Sequence, residues 1–161
     1  MRRIKKLVVT FLAICLMCPG LSVITEAATA ELRFADPSTT VGAEVEVKTK
    51  LSSVSSLQSM EATLTYDKSE LKFISGDNAT AKDGTIKISW TGTGTTAEFN
   101  LKFQALKEGT SNIEVSSATG TATDGSTLEI TQGSSAVTIG AGDPSLIKDD
   151  TEDQNDDSKT T

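Results

Sequence analysis

The chain of 161 residues has no histidine, and its two cysteines, Cys15 and Cys18, both lie near the N-terminus. Without histidine there is no Ser-His-Asp or Cys-His nucleophile pair and no imidazole zinc site. Aromatic residues are equally sparse, with one Trp, one Tyr and five Phe. Polysaccharide-binding faces stack sugars on several exposed rings. Here Trp90 keeps step with Ile86 and Ile88, Tyr66 with Leu64, and Phe99 and Phe103 with Leu101, which are core positions. No stretch of the chain has a convincing helical period. The one long apolar run, residues 7–17, is stopped by Pro19, Gly20 and Ser22, short of the roughly 20 residues a spanning helix needs.

That run has a different meaning. Arg2, Arg3, Lys5 and Lys6 precede it and Pro19-Gly20 follows it, the charge and length pattern of a secretory signal peptide. Residues 1–30 are therefore set apart as a leader, which implies a secreted bacterial protein with no membrane insertion once the leader is gone. The small-residue cleavage rule fits after Ala27 (Thr25-Glu26-Ala27) and after Ala30 (Ala28-Thr29-Ala30), and the second is preferred. Cys15 follows Ile14 and Cys18 follows Met17, so neither has the small residue before it that lipid attachment requires. The mature chain then has no thiol, disulfide or thiolate metal site and must be stabilised by an ordinary apolar core.

The formal charge of −7 becomes more negative when the basic leader is lost, which argues against nucleic acid or anionic lipid as partner. Glu44, Glu46, Asp67, Glu70, Asp77 and Asp83 fall on outward strand positions or in turns, where they serve solubility and edge protection. No two of them form a candidate glycosidase pair, so no catalytic residue and no enzyme activity is expected. Asp67, Glu70, Asp77 and Asp83 offer the oxygens calcium prefers, but their spacing does not match a twelve-residue calcium loop, and neither metal nor cofactor is expected. Asn78-Ala79-Thr80 fits a glycosylation pattern and reads equally well as a polar loop.

What the chain does contain is alternation. Val45, Val47, Thr49 and Leu51 alternate with Glu44, Glu46, Lys48 and Lys50, and Met60, Ala62, Leu64 and Tyr66 alternate with Glu61, Thr63 and Thr65. The polar corner 67–70 leads to Leu71 and Phe73. A loop containing Asp77-Asn78 and Asp83-Gly84 then precedes Ile86, Ile88 and Trp90, followed by Phe99, Leu101, Phe103 and Ala105. Such a period of two belongs to strands with one face buried. Shorter segments at 31–34, 113–115, 116–123, 128–130 and 136–139, with a hairpin signal at Asp124-Gly125, complete eight or nine strands. The expected fold is all-β, a two-sheet antiparallel sandwich with jelly-roll topology over residues 31–140. Residues 141–161, rich in Asp and nearly free of apolar side chains, read as an acidic disordered tail or linker.

The order of a Val-Gly turn followed by Val-x-Val, then Leu64-Thr65-Tyr66-Asp67 with Leu71 four residues on, then Gly84-Thr85-Ile86-Lys87-Ile88-Ser89-Trp90, the 99–105 strand and Gly109-Thr110-Ser111-Asn112-Ile113 resembles the cohesin domain of cellulosome scaffoldins. The likeness covers about residues 30–140. It implies a nine-stranded jelly roll that binds dockerins, helical modules loaded with calcium that carry polysaccharide-degrading enzymes. The family's Tyr-Asp-Pro corner is here Tyr66-Asp67-Lys68, a turn Asp67 still supports. The resemblance places the docking surface on one sheet face from the third, fifth, sixth and eighth strands. Counted from the alternation, its outward residues are Glu61, Thr63 and Thr65, then Lys87 and Ser89, then Asn100, Lys102 and Gln104, with no position assigned on the eighth strand.

The function expected is a non-catalytic module that docks a dockerin-like partner through hydrogen bonds and a small apolar centre, in a polysaccharide-degrading assembly. A carbohydrate-binding module of related fold, contacting polysaccharide directly, and a structural or adhesin-like surface domain are the alternatives.

Overall fold

The inward residues of the alternating segments are the buried ones: Val45, Val47 and Leu51, Met60, Ala62 and Leu64, Ile86 and Ile88, and Phe99, Leu101 and Phe103 all lie in the core. A computed structural model describes residues 27–148; the expected leader up to residue 26 and the acidic stretch from 149 on lie outside the described residues. Within them are eleven strands: β1 (Ala28–Phe34), β2 (Ser38–Thr40), β3 (Glu44–Ser53), β4 (Leu57–Tyr66), β5 (Leu71–Gly76), β6 (Ala79–Lys82), β7 (Thr85–Thr91), β8 (Thr96–Ala105), β9 (Gly109–Ala122), β10 (Thr127–Gln132) and β11 (Ser134–Gly140). A 3-10 turn spans Pro144–Leu146.

Hydrogen bonding follows the order β5-β8-β3-β1-β10-β9-β4-β7-β6, with β11 joining β9 and β2. The path folds over on itself as a sandwich. β5, β8, β3 and β1 make one layer and β9, β4, β7 and β6 the other, with β10 at the seam. Aromatic pairs tie the layers together, Tyr66 of β4 meeting Phe103 of β8 edge-on with centroids 5.5 Å apart. The all-β sandwich is as expected. The pairings are antiparallel apart from β1 with β10 and β11 with β2, which run parallel.

Several elements differ from expectation: β2 lies in a stretch with no expected strand, and the segments 113–115 and 116–123 form the single strand β9. β1 begins at Ala28 instead of Glu31, because Ala28 and Ala30 turn into the core and pair with Leu128 and Ile130. β6 occupies a stretch expected to be loop. Its Ala79 and Ala81 face inward beside Ile88 and Ile86, and a two-residue turn with positive φ at Asp83 (52°) and Gly84 (79°) sends the chain back as β7, the twist that suits a tight hairpin. Finally, residues 141–148, expected as the start of a disordered tail, are ordered against the domain. Asp143 caps the 3-10 turn by accepting from the Ser145 amide at 2.9 Å, and Ile147 packs against the core.

Candidate functional site

The layer β9-β4-β7-β6 presents its outward face as rows of small polar side chains, set by register. Thr80, Lys87, Thr63 and Ser117 are successive neighbours from β6 to β9. On one side of that row lie Ser89, Glu61 and Thr119 and then Thr91, Ser59 and Thr121, and on the other Lys82, Thr85, Thr65 and Glu114. Two hydroxyl contacts stiffen it. Ser59 Oγ and Thr121 Oγ1 are 2.7 Å apart, and Ser116, at a bulge in β9, donates its hydroxyl to the Thr63 carbonyl at 3.0 Å.

Charge on this face is sparse and divided. Lys82 and Lys87 stand on β6 and β7, and Glu61 and Glu114 on β4 and β9, so the surface is cationic at one side and anionic at the other. The expected apolar centre is absent: among the described residues the exposed large hydrophobics are Val54, Ile74 and Leu146, and none lies in these rows. The β-branched threonines favour the strand and leave a hydroxyl outside it.

Five of the eight candidate residues, Glu61, Thr63, Thr65, Lys87 and Ser89, thus share one face. Asn100, Lys102 and Gln104 do not, and this corrects the single-face expectation. They belong to β8, in the opposite layer, where Asn100 faces Lys48 and Gln104 faces Glu44 on β3. The error was one of counting. With β6 read as loop, β7 and β8 count as fifth and sixth; with β6 added and the three-residue β2 left out of the count, the third, fifth, sixth and eighth strands are β4, β6, β7 and β9, the four strands of one layer. A four-residue strand with only two alanines inward gives little hydrophobic signal, and Asp83-Gly84 was the one mark of it.

The three β8 residues have other partners. The Asn100 backbone N–H donates to Asp77 Oδ2 at 2.9 Å. Lys102 pairs with Glu44 at 3.6 Å. Gln104 is only 4 % exposed, because residues 143–148 lie over it: its Nε2 donates to the carbonyls of Gly42 (3.0 Å) and Leu146 (2.9 Å), and its Oε1 accepts from the Lys148 amide at 3.2 Å.

The remaining candidates also find structural places. Asp67 Oδ1 accepts from both the amide and hydroxyl of Ser69, which holds its carboxyl below the usual carboxylate range, and Asp83 stands 3.9 Å from Lys68. These two line one open groove with Glu70, while Asp77 lies elsewhere. Among the described residues no cluster of three or more carboxylates is arranged to hold a metal. Tyr66 and Trp90 are half-buried and pack on the core. Burial pushes the Tyr66 phenol up, partly offset by a hydrogen bond from the Phe73 backbone.

Against this geometry, the family model for the Cohesin domain matches residues 30–139. The chain belongs to the cohesin domain family. Solved cohesins share its fold at low identity. CaCohA2 from Clostridium acetobutylicum is 16 % identical, with 74 % of this chain and 96 % of that one aligned at a TM-score of 0.61. The cohesin in the Coh-OlpA-Doc918 type I cohesin–dockerin complex of Clostridium thermocellum is 18 % identical, covering 69 % and 99 % at 0.60. A non-cellulosomal cohesin from the archaeon Archaeoglobus fulgidus is 14 % identical, covering 71 % and 91 % at 0.59. A search of curated protein sequences gave no match.

Proposed function

We propose that this cohesin is a non-catalytic docking module, exported from a bacterium, whose β9-β4-β7-β6 face binds a dockerin-type helical module. The observation that carries this reading is one continuous outward layer: β9, β4, β7 and β6 pair in sequence, and five of the residues that the resemblance implies, Glu61, Thr63, Thr65, Lys87 and Ser89, are adjacent on it. Solved relatives captured with dockerins supply the partner class.

The face suits a partner bound chiefly by hydrogen bonds, as serine and threonine hydroxyls both donate and accept. Its charge division favours a partner with carboxylates opposite Lys82 and Lys87 and a basic group opposite Glu61 and Glu114. Calcium belongs to the partner in this scheme, and contact with polysaccharide would pass through whatever enzyme that partner carries. Direct stacking on sugar is disfavoured because Trp90 and Tyr66 are committed to the interior.

Isothermal titration against a panel of purified dockerin modules, with calcium and again with EDTA, tests the reading. A calcium-dependent complex that is weakened by Thr63→Arg and Lys87→Glu but not by Lys102→Glu is expected. Failure of every dockerin to bind, or loss of binding in Lys102→Glu alone, overturns it.

A further inference from the structure

We infer that the export leader is removed by hydrolysis of the Ala27–Ala28 peptide bond, so that Ala28 is the mature N-terminus. This rests on the export reading above and is independent of the docking reading. The residue rule leaves two bonds open, since Ala27 and Ala30 each follow a small residue two places earlier, Thr25 and Ala28. The fold separates them. Ala27 is exposed and precedes the first strand, whereas Ala28 and Ala30 are 9 % and 5 % exposed in the core.

Cleavage after Ala30 removes the paired positions Ala28↔Leu128, Thr29↔Glu129 and Ala30↔Ile130, leaving only Glu31↔Thr131 and Leu32↔Gln132 to hold β1 to β10. It also deletes the Thr29 carbonyl, which accepts from the Ser53 hydroxyl at 3.1 Å and the Val54 amide at 3.4 Å. The loss falls at the seam of the sandwich. β10 is joined to β9 only through Thr127↔Thr121 and Leu128↔Gly120, so β1 is its main support. Cleavage after Ala27 leaves all of these in place.

The reaction is a peptide hydrolysis by a membrane signal peptidase: water adds across the bond, the leader departs with the Ala27 carboxylate, and Ala28 keeps the new ammonium group. The test is to express the full chain in a bacterial secretion host and determine the intact mass and N-terminal sequence of protein from the medium. Ala-Thr-Ala-Glu is the expected start. Secreted protein beginning Glu-Leu-Arg-Phe overturns this inference alone, whereas protein retained in cells with Met1 overturns the export reading as well. Ala27→Leu places a bulky side chain at the residue before the bond and should abolish the Ala28 product. Unchanged release of that product from the variant counts against the assignment.

Discussion

Trp90 of β7 and Phe99 of β8 meet edge to face across the interior, with ring centroids 6.5 Å apart and planes at 82°. The pair joins the layer carrying the candidate docking face to the layer behind it, and Trp90 is the only tryptophan in the chain. Its fluorescence therefore reports on the packing that holds the two layers together.

Phe99 is fully buried, so Phe99→Ala should destabilise the domain by about 3–5 kcal/mol, the range for deleting a core ring. Urea unfolding followed by Trp90 emission measures this as a lower midpoint, and the native emission maximum should move to the red as Trp90 loses its neighbour.

Thr49 sits inward between Val47 and Leu51, and its hydroxyl is buried without a hydrogen-bond partner. Thr49→Val keeps the shape and removes that hydroxyl, relieving a desolvation penalty of about 1–3 kcal/mol. The urea midpoint should rise; a fall would show that the hydroxyl has an internal partner.

Gln104→Leu should release residues 143–148. A buried amide whose partners are lost costs about 1–3 kcal/mol, and hydrogen exchange at the Leu146 and Lys148 amides should accelerate. Gly42→Ala should act through the same contact. Gly42 has φ +86°, and a Cβ there would collide with the Asp143 carbonyl oxygen. Because both variants break one packing unit, their combined effect should be smaller than the sum.

Asp67, Asp124 and Asp143 each accept from a serine two residues on, and each carboxyl is held below its ordinary value, chiefly by that serine's hydroxyl. A carboxylate with a depressed folded pKa stabilises the fold above the unfolded value of about 3.9 and loses that contribution as pH falls through the folded value. Thermal melts should therefore hold steady near neutrality and fall below about pH 4. Replacing Ser69, Ser126 and Ser145 together with alanine should flatten this acid limb, with little change in its position for any single replacement.

The long alternating segments could be read from sequence because a period of two over seven or more residues, with Val, Ile, Leu and Phe inward, has no competing explanation. β6 could not: Ala79 and Ala81 bury too little to mark a face. Ala28 and Ala30 were ambiguous for a related reason, since alanine satisfies a peptidase rule and a tight strand contact equally well. Gln104 was correctly placed on the outward side of β8, yet sequence spacing cannot show that a segment some forty residues later lies over it. The omission of β6 bears on the candidate site, because a count without it moves β8 onto the candidate docking layer.

The grip of Gln104 on the backbone of Leu146 and Lys148 also fixes a direction. The last described residue is held on the outer side of β8, with its carbonyl 2.7 Å from Lys72 Nζ, on the layer opposite Thr63 and Lys87. Residues 143–148 thus seal the back of β8 and leave the Thr63 and Lys87 side unobstructed.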